Sequence, residues 1–507
     1  MGIKHFFYWY KTQFAHAMTS LAKNQTMKSK NLQVDTLLLD LNGNIHNATQ
    51  KIFEYGSFKP TRRLLGKNHP KINNPKTRQL VYKDVCSAID NLVAITAPTK
   101  RIFLGIDGPA PIGKQNQQRQ RRFRAASESE PNAVFDSNSI TPGTLFMHEL
   151  SIYIDNFIEY QKSVDPKWMD LEVIFSNEKV PGEGEHKAMD FIRENGSDDE
   201  TYCINGMDAD LIMLAMATHK PNFYIIRDDT YDPKNEYFCI NIGKSRQTLV
   251  DKLRWSSTKG KFEEKVAIND FIFMCFMVGN DFLPHIPSIE IIEDGIELMI
   301  DIYRTVGENC GHLTKINRNK RVVFNKDALK LFLETVGKFE KNNFENKLAK
   351  KASFFPDPLM TKYSSNSESG KWKIDLEGYI DEYNLNSFSN NKNDPASLDM
   401  ECVSHSYIQG LQWVLTYYTT GCPSWKWYFP HQYAPTASTL VKHLDTFTPC
   451  KYGKTSPSSP FQQLLSVLPP KSSHLIPSPL NLLLEHDTSP LKKYCPDHLV
   501  IDLAGKR

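Results

Sequence analysis

Tyr202-Cys203-Ile204-Asn205-Gly206-Met207-Asp208-Ala209-Asp210 carries a short apolar run straight into two carboxylates. The same pattern recurs three times upstream. Thr36-Leu37-Leu38-Leu39 ends in Asp40, and Arg101-Ile102-Phe103-Leu104-Gly105-Ile106 ends in Asp107. Leu171-Glu172-Val173-Ile174-Phe175 leads to a loop bearing Glu183 and Glu185. Apolar runs of this length bounded by turn signals read as buried parallel strands. Between residues 36 and 240 they alternate with helix-length amphipathic segments, so an α/β fold with a mostly parallel sheet flanked by helices is expected. The carboxyl ends of parallel strands share one edge, which is where such sheets bind ligands.

Acids delivered to one edge would repel one another unless cations lay between them. Pro181-Gly182-Glu183-Gly184-Glu185-His186 sets two carboxylates two residues apart on a glycine-rich turn, and Asp208 and Asp210 repeat that spacing. Asp281, in Gly279-Asn280-Asp281-Phe282-Leu283-Pro284, would complete a set of seven. All-oxygen donors suit Mg²⁺ or Mn²⁺, and two such ions could clamp a phosphodiester from both sides. The plainer reading makes Asp208 an N-cap for Leu211–Ala217 and puts Glu183 and Glu185 in a first helical turn. That serves for one residue but does not explain the whole set at strand ends. His186 would be a base or a residue that orients a ligand.

Lys114, Gln118, Arg121 and Arg122 are spaced i, i+4, i+7, i+8 and lie on one helical face. A cation, an amide and two guanidinium forks can enclose a terminal phosphate. Charge runs are usually solvated helix faces, but this one starts seven residues after Asp107. Ser424-Trp425-Lys426-Trp427-Tyr428 and His46 offer rings for base stacking, although aromatic clusters more often belong to cores.

The 507 residues include nine cysteines without a CxxC pair, which fits reduced thiols better than disulfides or zinc. No apolar run approaches a membrane span, and the N-terminus lacks a signal-peptide core. No membrane association is expected; the cytoplasm is the default location and the nucleus the alternative. The net charge of +3 argues neither for nor against nucleic acid, but residues 1–34 hold five lysines and no acid. The division expected is an α/β region over 1–240 and a helical or irregular region over 241–507. Loops are expected at 363–397, rich in Ser, Asn and Asp, and at 449–479, rich in Pro and Ser.

Leu39-Asp40-Leu41-Asn42-Gly43-Asn44-Ile45-His46-Asn47 resembles the first signature of the eukaryotic 5′→3′ exoribonuclease (XRN) family. The resemblance continues through Ile106–Pro111, Gln115–Arg124, Ile140–Thr144, Val180–Lys187, Asp208–Leu214, Phe271–Pro287 and Gln409–Pro435. It implies a PIN/FEN-like catalytic domain with a mainly helical second region around it. It also implies that the seven acids hold Mg²⁺ or Mn²⁺, two ions in all, and that Lys114, Gln118, Arg121 and Arg122 bind a 5′-monophosphate. His46 and Trp425, chosen over Trp427, would stack the terminal bases. The implied partner is single-stranded RNA with a 5′-monophosphate, hydrolysed stepwise to nucleoside 5′-monophosphates. A closed pocket would exclude a cap or triphosphate and so link the enzyme to decapping factors. The length suggests a compact or truncated relative, as in viruses. A flap-type DNA nuclease and a nuclease-inactive RNA-binding scaffold are the competing functions. The basic helix argues against the first, and retention of seven acids against the second. Ala15–Val34 is longer than the family pattern leads one to expect between the first helix and the first strand.

Overall fold

The computed structural model describes residues 5–58, 73–128, 134–230, 232, 234–256, 261–351, 357–367, 370–389 and 397–496. The chain forms two units, a sheet unit of His16–Lys244 with Thr455–Leu499, and a helical unit of Ser245–Lys454 with the N-terminal residues through Ala15.

Seven strands make the sheet: β1 (Met18–Ala22), β2 (Thr36–Asp40), β3 (Arg101–Gly105), β4 (Glu172–Ser176), β5 (Tyr202–Asn205), β6 (Phe223–Asp228) and β7 (Asn235–Asn241). Their order is β1-β7-β6-β5-β2-β3-β4. From β2 through β6 all neighbours are parallel, while β7 and β1 add an antiparallel edge. Successive strands leave β2 in opposite directions, so the topological switch point falls between β2 and β5. Leu37, Leu38 and Leu39 are all fully buried, as expected for a strand covered on both faces. The main core packs Leu37, Leu39, Ile102 and Leu104 against Val81, Val85 and Ile89 of the helix Pro75–Thr96.

The long Ala15–Val34 stretch is occupied in part by β1. This strand buries only Leu21, so it presents no apolar run for periodicity to detect. Two expected loops are corrected. Within 449–479, Pro460–Val467 is a helix, started by a capping box between Ser459 and Gln462 with Pro460 in its first turn. Proline there favours a helix start rather than breaking it. Within 363–397, Ser364–Asn366 pairs with Trp372–Ile374, and Leu376–Phe388 is a helix that buries Tyr379 and Tyr383. Its apolar residues are interleaved with Glu, Asp, Asn and Ser, which masks the helical period in a tract that reads as a loop. The division at 240 also assigned 455–499 to the second region, whereas these residues pack with the sheet unit.

The loops after β3 and β4 are laced together. Gly108 N–H donates to Gly182 O at 2.8 Å, and Gly182 N–H to Pro109 O at 2.9 Å. A Cβ on Gly108 would stand 1.8 Å from Val180 O. Gly108→Ala is therefore expected to cost about 3 kcal/mol or more, because backbone rather than a flexible side chain must give way. Thermal unfolding of the variant measures this; an unchanged melting temperature would show that the loops slide apart freely.

In the helical unit, Glu264–Phe276 is buried along nearly its whole length. Its Asp270 accepts from Tyr303 Oη at 2.7 Å, Thr314 N–H at 2.6 Å and Thr314 Oγ1 at 2.6 Å, and meets His312 Nδ1 at 2.6 Å. This fully buried carboxylate is thus a satisfied structural anchor. No described helix is long and apolar enough to cross a membrane.

Candidate active site

Strand register levels the acids. Asp40 pairs with Gly105, which pairs with Ser176, so β2, β3 and β4 end at the same height. Absence of a side chain at Gly105 lets the start of the helix Gly184–Asn195 come against the strand end. A Cβ there would stand 2.9 Å from Gly184 O, and a Cβ on Gly184 would stand 2.7 Å from Asp40 Oδ1. Gly184 N–H donates to Asp107 Oδ1 at 2.8 Å, so a helix N-terminus orients this carboxylate.

The result is convergence. Asp40, Asp107 and Glu185 each contribute a carboxylate oxygen, all within 4.8 Å of one another, and Glu183, Glu185 and His186 form an adjoining group of the same size. Burial, and then the charges of Asp107, Asp208 and Asp210, push the Asp40 carboxyl well above its ordinary range. Glu185 is pushed the same way by burial and by Glu183, Asp40 and Asp107, against the pull of Lys114. Carboxylates held together at such cost fit a hard cation, and oxygen donors of this kind suit Mg²⁺ or Mn²⁺. Glu183 and Asp210 occupy N-cap positions, yet neither side chain makes a cap hydrogen bond. Asp40 does cap the helix Leu41–Phe53, accepting from Asn42 N–H at 3.3 Å. Capping therefore accounts for one of these acids.

The basic residues lie on the helix Ile112–Glu128, which buries Lys114, Gln118 and Arg122. Lys114 pairs with Glu183. Arg122 donates Nε–H to Thr141 Oγ1 and Nη1–H to Gln118 Oε1, each at 3.1 Å. Burial and the neighbouring Arg121 lower its guanidinium to about 9, which still leaves it charged at neutral pH. Arg121, Arg122 and His46 line a cavity of about 220 Å³ together with Gln50, Tyr55 and Asn138. His46 is pulled down to about 4 by burial and by Arg121 and Arg122, so its ring is neutral at pH 7.

Six acids, four phosphate-pocket candidates and His46 thus all belong to the sheet unit. Asp281 and Trp425 belong to the helical unit. Asp281 stands on a corner built by Gly279, at φ +90°, and by Asn280 Oδ1, which accepts from Phe282 N–H at 2.8 Å and Leu283 N–H at 2.9 Å. Trp427, partly exposed, stacks on the buried Trp413 at 5.0 Å and packs over Gly410.

Two contributors lie inside the stretches Val180–Lys187 and Ile140–Thr144, but residue spacing assigns them no role there. Lys187 Nζ donates to Ile106 O at 2.7 Å and to Asn177 O at 2.8 Å, tying the ends of β3 and β4 together, and burial draws it down to about 8. Thr141 orients Arg122. Both act through tertiary contacts, 10 to 81 residues apart in the chain, that residue spacing does not reveal.

Residues 1–229 match the family model described as XRN 5′-3′ exonuclease N-terminus, and residues 261–373 and 358–507 match the Xrn1 helical domain. The whole chain aligns with the 5′-3′ exoribonuclease 2 homolog of Drosophila melanogaster at 29% identity, covering 68% of that protein. It also aligns with 5′-3′ exoribonuclease 1 of Saccharomyces cerevisiae at 27% identity, covering 42%. Among solved structures, the catalytic core of Rad2 in complex with DNA substrate matches 60% of this chain and 69% of its own, with 12% identity and a TM-score of 0.33. That likeness is too slight to build on.

Proposed function

The chain belongs to the XRN 5′-3′ exonuclease family, and from that premise we propose that it is a divalent-metal-dependent 5′→3′ exoribonuclease that reads a 5′-monophosphate. The observation that carries this reading is the meeting of Asp40, Asp107 and Glu185 oxygens within 4.8 Å, on the same unit as a buried basic helix.

Asp40, Asp107, Glu183, Glu185, Asp208 and Asp210 would hold Mg²⁺ or Mn²⁺. When bound, the cation supplies Lewis-acid stabilisation of charge building on the phosphate oxygens. Gln118, Arg121 and Arg122, with Lys114, grip the terminal phosphate through charge-assisted hydrogen bonds. The neutral His46 ring beside Arg121 and Arg122 supplies a face for the first base. Lys187 keeps the Asp107 loop in place. Release of one nucleoside 5′-monophosphate regenerates a 5′-phosphorylated end for the next round. The bulk and extra charge of a cap or triphosphate are taken to be unfavourable in this pocket, so substrates would come from reactions that expose a 5′-monophosphate. Metal binding by Asp281 and stacking by Trp425 rest on the family resemblance, and are included as proposals on that ground.

A Mg²⁺ time course on one RNA bearing a 5′-monophosphate, 5′-hydroxyl, 5′-triphosphate or cap tests the reading. Mononucleotides are expected from the monophosphate form alone. RNA binding without cleavage of any form would favour the scaffold, and preferential cleavage of flapped DNA the flap-type nuclease.

A further inference from the structure

The segment Thr455–Leu499 does more than cover the sheet unit. It is bonded rung by rung to the basic helix Ile112–Glu128. Ser466 Oγ donates to Gln115 Oε1 at 2.7 Å, and Gln115 Nε2 donates to Ser458 Oγ at 3.3 Å. Arg119 donates to Ser466 O at 2.7 Å and also to Tyr494 O. Between these rungs sits Gln463, on the helix Pro460–Val467 and fully buried. Its Oε1 accepts from Ala110 N–H at 2.8 Å, and its Nε2 donates to Gln118 Oε1 at 3.3 Å.

The direction of this chain of bonds is fixed at both ends. A backbone N–H can only donate, so the end of Gln463 facing Ala110 must be its oxygen, and the end facing Gln118 its amide nitrogen. A guanidinium also can only donate, so the end of Gln118 facing Arg122 must be its oxygen. Gln118 Oε1 therefore receives hydrogens from both Gln463 and Arg122. Its amide nitrogen is left as the end that can donate to an anion.

We propose that Gln463 is a positioning residue for the 5′-phosphate pocket. It locks the Gln118 carboxamide with its N–H donors toward the phosphate, and with it the Arg122 fork. The inference rests on the 5′-monophosphate reading above.

The test compares wild type with Gln463→Glu and Gln463→Met. Ionised glutamate can still accept from Ala110 N–H but has no hydrogen for Gln118 Oε1. Two oxygens then oppose each other there, and the Gln118 carboxamide is displaced, or turns over at the cost of its bond from Arg122. Methionine fills similar space and leaves the Gln118 carboxamide held by Arg122 alone. The quantity read is the ratio of dissociation constants for one short RNA with a 5′-hydroxyl or a 5′-monophosphate, measured in EDTA so that nothing is cleaved. The preference for the phosphate is expected to fall about tenfold in Gln463→Glu, the scale of one hydrogen bond to a charged group, and by less in Gln463→Met. Affinity for the 5′-hydroxyl RNA should stay near the wild-type value, which loss of packing alone would not spare.

If either folded variant keeps the wild-type ratio, Gln463 has no positioning role, whatever its effect on stability. Should the glutamate variant not fold, the methionine variant decides alone. A wild type without any phosphate preference would instead overturn the pocket reading, and the role of Gln463 with it.

Discussion

Glu185→Gln is expected to abolish mononucleotide release and, at the same time, to raise the melting temperature of the metal-free protein at pH 8. The loss of activity follows from removing the one carboxylate that belongs to both ligand groups, Asp40–Asp107–Glu185 and Glu183–Glu185–His186. Stabilisation of phosphoryl charge by a metal is worth several kcal/mol, and about 4 kcal/mol is roughly a thousandfold in rate. The gain in stability follows from the pKa. Burial, then the Glu183, Asp40 and Asp107 charges, hold the Glu185 carboxyl well above its ordinary range. A folded-state pKa above the unfolded one means that the contribution to stability is intact below the unfolded value, near 4.5, and is lost as pH rises through the folded value. Above pH 4.5 the metal-free protein carries a cost that grows with pH, whether as repulsion or as a proton held against the solution, and glutamine removes it. The two melting temperatures should converge as pH approaches 4.5. Saturating Mg²⁺ should raise the wild type at pH 8 and do little at pH 4.5, because protonated carboxyls do not bind it. Melting curves at both pH values with Mg²⁺ and with EDTA decide the matter. A metal-free Glu185→Gln protein that melts below wild type at pH 8 would mean that the cluster is held by contacts other than a cation.

Arg121→Ala should carry the second large effect, on 5′-end discrimination. Arg121 and Arg122 both line the cavity beside His46, but Arg122 is tied to Thr141 and Gln118 and buried, so its removal would also damage the fold. Arg121 is only half-buried, which lets its contribution be read with the scaffold intact. A charge-assisted hydrogen bond is worth about 1.5–3 kcal/mol, so kcat/KM for 5′-monophosphorylated RNA should fall roughly 10- to 150-fold relative to 5′-hydroxyl RNA. Lysine at the same position should recover part of it, since a point charge replaces a fork. Equal losses on both RNAs would place Arg121 on the body of the strand rather than at its end. Loss of its charge also relieves one of the pressures on His46, whose pKa should then rise from about 4, a change that NMR titration would detect.

Periodicity and spacing were enough to read the chemistry-bearing half of this protein. Apolar runs leading to acids mean parallel strands, and three of the four are buried, as Leu37, Leu38 and Leu39 are; the fourth, Glu172–Ser176, is the parallel edge strand and buries none of its residues. Their carboxyl ends share an edge, which is why Asp40, Asp107, Glu183, Glu185, Asp208 and Asp210 could be proposed from the sequence as one set. The stripe Lys114, Gln118, Arg121 and Arg122 was equally local. What escaped notice has no local signature. β1 buries a single side chain, and its place in the sheet comes from pairing with β7, more than 200 residues away. The helix Pro460–Val467 hides in a Pro/Ser-rich tract because its stability comes from a capping box and from contacts made by Leu464 and Val467. Gln463 and Thr141 acquire meaning only through Gln118 and Arg122, and Lys187 only through two backbone carbonyls. The sequence alone determined which residue types stand at the strand ends, because covalent order and hydrophobic period suffice for that. Only the tertiary structure decided which way each side chain is held, because a hydrogen bond between segments hundreds of residues apart leaves no trace in the spacing of either.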